Sequence, residues 1–530
     1  MNPGLVCFED DHLLVLNKPA GWNTHSPAPY AGEGIFDWLR HREPRWATLA
    51  ILHRLDKETS GLLLFGKSPA ANQSLTDQFT RRAVHKRYHL LTDRPPPSAR
   101  FTVEGFIRRA GDHYLNAKTG TDAEHAITRF QILQSACGRT LLEAEPITGR
   151  THQIRVHAAA RGFPILGDTL YGGTPAPRVC LHAHQLAITH PVSHTAQEFT
   201  APADFDADPR LALRTALIDP AATNAFRLAH GAADGQPGHY LEQLGDFLLS
   251  QSPAPADDAC RAELQHWLKR LKLHGAYHKT LHRQLRRNSP ADVSPQLAAG
   301  NPAPDEVLIR ENGLHYTLRF SEGYSVGLFL DQRDNRRRFL TNHVAAGFHL
   351  FPDGPAGTEV LNVFAYTCGF SLCAARAGAR ATSLDLSRKY LDWGRRNFAV
   401  NQIAPDQHDF IYGDAFDWLR RLAKKGRRFH AIVLDPPTFS QSKENGTFQA
   451  ARDYGRLVTA ALPLLQHAGV ILASTNASTL APDDFLAQIN AAISAARRRV
   501  TQQHYSPQPP DFPVTRDEPA YLKTVWLRIQ

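Results

Sequence analysis

The sequence predicts a multidomain chain, α+β in its first part and α/β in its last. Three observations carry that reading. Before residue 200 the short β-like runs HLLVLNK, GLLLFGK, KRYHLLT and FTVEGFI mix with few helical stretches. After residue 305 the strand-like runs EVLNVFA, ATSLDLS, HAIVLDPP and GVILAST alternate with helical stretches. That alternation is the pattern of a parallel sheet with crossover helices. Two seams lie between these regions. EFTAPADFDADPRL, around 200–210, is where apolar alternation gives way to Ala, Pro and Asp. NSPADVSPQLAAGNPAPDE, around 288–305, is poor in bulky residues and reads as a loop or linker. The predicted domains are therefore 1–205, a small α/β connecting domain with a Pro/Ala-rich linker over 206–315, and 316–530. A length of 530 residues accommodates all three, since typical domains run to roughly 100–200 residues.

Composition narrows the class. Hydrophobic residues make up 42% and charged residues 21%, which excludes a disordered chain. No apolar run approaches the ~18–20 residues of a membrane span. The N-terminus carries Glu9, Asp10 and Asp11 rather than a basic-then-apolar leader, so a soluble, cytoplasmic protein is expected. Six cysteines without a CxxC pair suit neither a disulfide framework nor structural zinc, and no metal is expected. The net charge of +9 is unevenly spread: 22 basic against 19 acidic residues over 1–205, 12 against 13 over 206–315, and 26 against 19 over 316–530. Basic clusters at Arg81-Arg82, Lys86-Arg87, Arg336 to Arg338, Lys424-Lys425 and Arg497 to Arg499 point to a polyanion partner, most simply nucleic acid. The basic stretch Lys269 to Arg287, read as a helical region, would add phosphate contacts.

The first chemical constellation is HRLDKETSG, His53 to Gly61. Upstream stands DDHLLVLNKPAGWNTHS, and downstream stand HKRYHLL and ITGRTHQIRVHAAARGFPILGDTLYG. These four segments, in this order, resemble the RluA-type pseudouridine synthases over essentially all of residues 4–203. The resemblance implies a mixed β-sheet fold and the isomerisation of uridine. The bond from C1′ to N1 breaks, the base turns, and it rejoins through C5. By that resemblance Asp56 is the essential carboxylate, and Tyr88 stacks on the detached uracil and handles a proton. Arg155 pairs with Asp56 and keeps it ionised, as a nearby cation does. Arg54 holds the target nucleotide out of its stack, which chemistry on a paired base requires. Gly21-Trp22-Asn23-Thr24-His25 departs from the small apolar residues more common there.

The second constellation is VLNVFAYTCGFSLCAARAGARATSLDLS, Val360 to Ser387. A strand runs into a small-residue turn and a helix, and the next strand ends in Asp385, an arrangement suited to a nucleoside cofactor. The turn lacks GxGxxG, which argues against a dinucleotide. GDAFDWL places Asp414 at a strand end, where a helix cap is the alternative role. HAIVLDPPTFSQSK closes a buried strand with Asp435-Pro436-Pro437. Together with GLFLDQRDNRR and FRLAHGAADGQPGHYLEQLGDFLLSQ, these segments resemble class I S-adenosylmethionine-dependent methyltransferases over about 220–530. More narrowly they are similar to the RlmI- and RlmK-type enzymes that act on large-subunit ribosomal RNA. The resemblance implies a Rossmann-like fold and S-adenosylmethionine as cofactor. Phe364, Tyr366, Gly369, Asp385, Asp414 and Asp435 would line the donor site, with Phe439 facing the target base. Cys368 departs from the group, standing where it usually has glycine in YTGGF.

Carbon-5 of cytosine needs a cysteine to add at C6, and the RlmI-type enzymes carry one just after the strand following the DPP loop. Here that stretch is ILASTNASTL, without cysteine. DPPTFS is closer to the RlmK-type pattern. The expectation is a bifunctional RNA-modifying enzyme: a pseudouridine synthase followed by a methyltransferase of a guanine nitrogen in ribosomal RNA. The alternatives are 5-methylcytidine formation, or one active module with the other serving as an RNA-docking domain.

Overall fold

A computed structural model describes residues 4–117, 122–281, 294–323, 325–442 and 446–530. These form two compact units: one made of most residues up to Asp219, the other of 220–530 with the short segments 26–33 and 38–47.

In the first unit the β-like runs of the sequence are all strands. They are β1 (Val6–Glu9), β2 (Leu13–Lys18), β3 (Ala50–Ile51), β4 (Ser60–Gly66), β5 (His85–Thr92), β6 (Arg100–Ala110), β7 (His113–Ala117), β8 (Glu124–Ala136), β9 (Arg139–Pro146), β10 (Leu181–Thr189) and β11 (Ala196–Thr200). They form one sheet ordered β1-β2-β4-β10-β5-β9-β8-β6-β7, with β3 on β4 and β11 on β10. β10 runs parallel to β4. Every residue of β4 is buried, which its unbroken apolar run foretold. Leu13, Val15, Leu62, Leu64, Leu186 and Ile188 pack with Ala71 and Leu75 of the helix Pro69–Thr80. Gly61 has φ +111°, and a Cβ there would lie 2.3 Å from the Ala183 carbonyl oxygen, so only glycine lets β4 meet β10 at this point.

The second unit begins with a five-stranded sheet: β12 (Ala225–His230), β13 (Tyr240–Leu244), β14 (Phe247–Ser252), β15 (Gly275–Thr280) and β16 (Gln296–Gly300). β16 corrects the expected linker, because part of the Pro/Ala-rich stretch pairs antiparallel with β15. The backbone has no need of bulky side chains to complete a ladder at a sheet edge. The expected basic helix is also shorter: the helix ends at Leu271 in basic residues, β15 follows, and residues 282–287 lie outside the described residues. Two hairpins come next, β17 (Val307–Glu311) with β18 (Leu314–Leu318) and β19 (His343–Ala345) with β20 (Phe348–His349).

The remaining strands are β21 (Glu359–Val363), β22 (Arg380–Asp385), β23 (Asp409–Tyr412), β24 (Phe429–Leu434), the hairpin β25 (Phe439–Ser442) with β26 (Gly446–Gln449), β27 (Leu465–Thr475), β28 (Val500–Tyr505) and β29 (Lys523–Ile529). Seven of them form a sheet ordered β23-β22-β21-β24-β27-β29-β28, with β29 antiparallel to β27. Strands covered on both faces read as continuous apolar runs. In β24, Ala431 and Val433 enter one core and Ile432 and Leu434 the other. The first of these cores also contains Leu244, Phe247 and Leu318, so the connecting segment shares its apolar interior with the large sheet. The strand order reverses between β21 and β24, and the carboxyl ends of strands at such a point open a crevice for ligands.

Candidate active sites

The first site forms around the loop that joins β3 to β4. Thr24 Oγ1 donates to the Leu55 carbonyl at 2.9 Å and accepts from the Leu55 amide at 3.1 Å. Buried Lys18, at the end of β2, donates to the carbonyls of Pro19, Trp22 and Lys57 at 3.0, 2.7 and 3.2 Å. Burial pushes its ammonium down to about 7, against the pull of Glu58 and Asp56. These bonds hold Asp56 with about a quarter of its side chain exposed. Arg54 is exposed beside it, and Tyr88 is buried on β5, its phenol raised by burial and then by Asp56.

Arg155 comes from the helix Gln153–Ala160. Gln153 secures the start of that helix, accepting from Thr148 Oγ1 at 2.7 Å and from the Arg150 amide at 3.0 Å, and donating to the Ile127 carbonyl at 2.9 Å. The expected pairing of Arg155 with Asp56 is present, through one edge of the guanidinium. The guanidinium donates through Nε and Nη2 to buried Asp168 at 2.7 and 2.8 Å. Only Nη1 faces Asp56, at 3.6 Å, and Glu58, at 3.7 Å. A planar fork presents two edges, and the bidentate one is satisfied by the carboxylate that shares its buried position. Burial alone would lower Arg155, but Asp168, Asp56 and Glu58 raise it. Nη1 also donates to His152 Nε2 at 3.2 Å, which leaves the imidazole proton on Nδ1, 2.8 Å from the Tyr171 hydroxyl. Asp168, His152, Tyr171 and Lys18 all stand in segments quoted from the sequence, yet received no role there. Only the positions of Asp168 in LGDTLYG and of Lys18 in LNKPAG signalled them.

The second site is a cavity of about 310 Å³ at the carboxyl ends of β21, β22 and β24. Phe364, Tyr366, Gly369, Asp385, Asp414 and Asp435 all line it. The turn after β21 is unusual: Phe364, Tyr366 and Cys368 have φ of 61°, 49° and 63°, left-handed values that cost a non-glycine residue about 1–2 kcal/mol each. Asp385 stabilises that turn, accepting from the Tyr366 and Ser387 amides, both at 2.8 Å. Asp414 caps the helix Ala415–Lys424, accepting from the Asp417 amide at 3.1 Å, and lines the cavity as well. Both roles considered for it from the sequence are therefore compatible. Phe439 is 40% exposed on β25, and its neighbour Ser440 reaches the cavity lining.

Asp435 lies at the end of β24 and accepts from Gln332 Nε2 at 3.1 Å. Burial, and then the negative charge of Asp331, push its carboxyl up to about 6. Asp331, Gln332 and Arg336 also line the cavity and were missed as site residues, although GLFLDQRDNRR carried them. Cys368 is fully buried, and burial pushes its thiol up to about 12. Its Sγ occupies the space that Gly394 leaves open, since a Cβ at residue 394 would lie 2.3 Å from it. Cys368 is absent from the described cavity lining.

A Rossmann-like sheet whose switch point carries acids at successive strand ends opens a ligand cavity at the carboxyl ends of its strands. The chain matches the family model of the S-adenosylmethionine-dependent methyltransferases over residues 249–528 and belongs to that family. Residues 12–160 match the RNA pseudouridylate synthase model, so the chain carries both enzyme types. It is 33% identical to ribosomal RNA large subunit methyltransferase I of Pseudoalteromonas atlantica, over 60% of this chain and 77% of that protein. It is 31% identical to a ribosomal RNA large subunit methyltransferase of Deinococcus radiodurans, over 61% and 78%. A crystal structure of a methyltransferase complexed with SAH superposes with a TM-score of 0.52 and 26% identity, covering 64% of this chain and 86% of that one. SAH is the demethylated form of S-adenosylmethionine, the cofactor of this family, and the acid-lined cavity is the candidate site for it. Among the described residues, no helix is long and apolar enough to cross a membrane.

Proposed function

We propose that this chain isomerises a uridine and methylates a guanine nitrogen of large-subunit ribosomal RNA in the cytoplasm, with 1–205 carrying the first activity, 316–530 the second, and 206–315 joining them. In the synthase, Asp56 is the essential carboxylate, Arg155 Nη1 pairs with it, Tyr88 stacks on the freed base and Arg54 grips the extruded nucleotide. The observation supporting this is the convergence of Asp56, Tyr88 and Arg155 on one loop, with Arg155 itself held by Asp168. A buried fork in a fixed orientation is what a preorganised site requires.

In the transferase, bound S-adenosylmethionine supplies the electrophilic methyl group. Asp385 accepts from the ribose hydroxyls, Asp414 and the Phe364–Gly369 turn hold the nucleoside, and Phe439 with the loop around it meets the target base. The nitrogen reading rests on the cavity lining. No cysteine is among the described residues there, and the nearest thiol in the turn, Cys368, is buried away from it and protonated. A nitrogen lone pair needs alignment with the methyl group rather than covalent activation. The large-subunit target is inferred from the relatives named above.

The test is nucleoside mass spectrometry of ribosomal RNA from cells with and without the gene, complemented with wild type or Asp56→Asn. The expected result is one lost pseudouridine and one lost methylguanosine, with Asp56→Asn restoring only the methyl mark. Recovery of 5-methylcytidine, or pseudouridine made by Asp56→Asn, contradicts the corresponding half.

A further inference from the structure

The groups assigned above to the nucleoside sit at one end of the cavity: the turn after β21, Asp385 at the end of β22 and Asp414 beyond β23. Asn476 lines the same cavity but follows β27, on the far side of β24. Three strand spacings separate the ends of β22 and β27, about 14 Å, too far for one ribose to bridge. The backbone beside Asn476 is secured. Buried Lys523 donates to the Ala477 and Tyr521 carbonyls at 2.8 and 2.9 Å, and the Ala477 amide donates to Thr475 Oγ1 at 3.2 Å. The Asn476 side chain is exposed, and its Oδ1 accepts from Thr438 Oγ1 at 2.7 Å. That bond leaves the two N–H donors of Nδ2 on the opposite edge of the carboxamide. Pro436, Pro437 and Ser440 complete this end of the lining, next to exposed Phe439.

We propose that Asn476 reads the target base, its Nδ2 donating to O6 of guanine, and that Thr438 is the positioning residue that sets the amide. The assignment rests on the guanine-nitrogen reading above. O6 is an acceptor flanked by both N1 and N7, so a donor held on it leaves either ring nitrogen to be aligned with the methyl group. Adenine carries an amino group at the same position, and cytosine carries one at C4, so both would set donor against donor. A site built around a hydrogen bond rejects a base that lacks it more strongly than an apolar pocket does. A carboxamide is not a nucleophile, so this end of the cavity orients a base without adding to it.

The test uses the full-length protein and ribosomal RNA assembled with guanosine or 2-aminopurine at the position that nucleoside mapping identifies. 2-Aminopurine keeps N1 and N7 and lacks O6. Wild type should lose about 5- to 150-fold in kcat/KM on 2-aminopurine, as for one good base-edge contact. Asn476→Ala should lose a similar factor on guanosine and no longer distinguish the two bases. Asn476→Asp, which puts an acceptor in place of the donor, should lose more, and Thr438→Val less. Affinity for S-adenosylhomocysteine, measured by calorimetry, should stay within about threefold of wild type in all three variants. An Asn476→Ala enzyme that still rejects 2-aminopurine, or that has lost S-adenosylhomocysteine binding while keeping its melting transition, overturns the assignment alone. Equal wild-type rates on the two bases overturn it whatever the variants do. Mapping that returns 5-methylcytidine instead of methylguanosine overturns the guanine reading, and the assignment with it.

Discussion

The two sites treat carboxylates in opposite ways. Around Arg155, one buried cation stands among three acids, donating bidentately to Asp168 and turning a single N–H edge toward Asp56 and Glu58. Around Arg336, the guanidinium is bonded to Glu311, and four acids line the cavity beside it. The same residue type therefore serves two ends. At Arg155, three acids share one cation. Acids gathered in a cleft of low dielectric are raised by burial, and Asp435 further by Asp331.

Removing the shared cation's anchor is the harshest way to break this contrast. Asp168→Asn preserves shape but strips one side of a buried ion pair, a change that costs about 3–5 kcal/mol when the partner charge stays buried. Pseudouridine formation should collapse and the first thermal transition should fall, while methylation persists. An unchanged isomerisation rate in a purified assay would show that Arg155 does not depend on Asp168 for its orientation.

Asp385→Ala attacks the other site. It removes the proposed ribose acceptor and the support of the Tyr366 and Ser387 amides. At about 1.5–3 kcal/mol for hydrogen bonds to a charged group, cofactor affinity should drop roughly 10- to 150-fold, measured by calorimetry.

The third change sharpens the comparison through pH. Asp435 has a folded-state pKa of about 6, above the ordinary carboxylate value. Its protonated form is the one the fold favours, so its contribution to stability is present at low pH and lost as pH rises through 6. Asp435→Asn should therefore melt above wild type at pH 7–8 without ligand, and the gain should vanish toward pH 4. Scanning calorimetry across that range reads the difference directly. A gain independent of pH would remove the carboxyl's ionisation as its cause.

Cys368→Gly should do least. Glycine relieves a left-handed backbone, worth about 1–2 kcal/mol, while the lost thiol vacates packed space above Gly394 at a similar cost. Stability and cofactor affinity should stay close to wild type, and the product should be unchanged. A variant that binds cofactor normally yet transfers no methyl group would make the thiol catalytic.

Much of this was legible in the sequence because it is local. The strands β2, β4, β5 and β6 and the parallel strands β21, β22, β24 and β27 are unbroken or alternating apolar runs, and their residues need no distant partner to prefer extended backbone. The acids at the strand ends, Asp385, Asp414 and Asp435, follow from strand-to-turn junctions and do line one cavity. What remained for the tertiary structure were choices among similar groups far apart in the chain. The resemblance marks Arg155 as the partner of Asp56, but only packing of its helix decides that Asp168 takes the bidentate edge and Asp56 the remaining one. Likewise only the fold brings Asp331 into the electrostatic range of Asp435, and only the position of Gly394 turns the Cys368 thiol away from the cavity. β16 belongs with these, since a stretch poor in bulky residues becomes a strand when β15 offers an open edge. Residue types set which interactions are possible, and three-dimensional reach, burial and hydrogen-bond geometry select the ones that form.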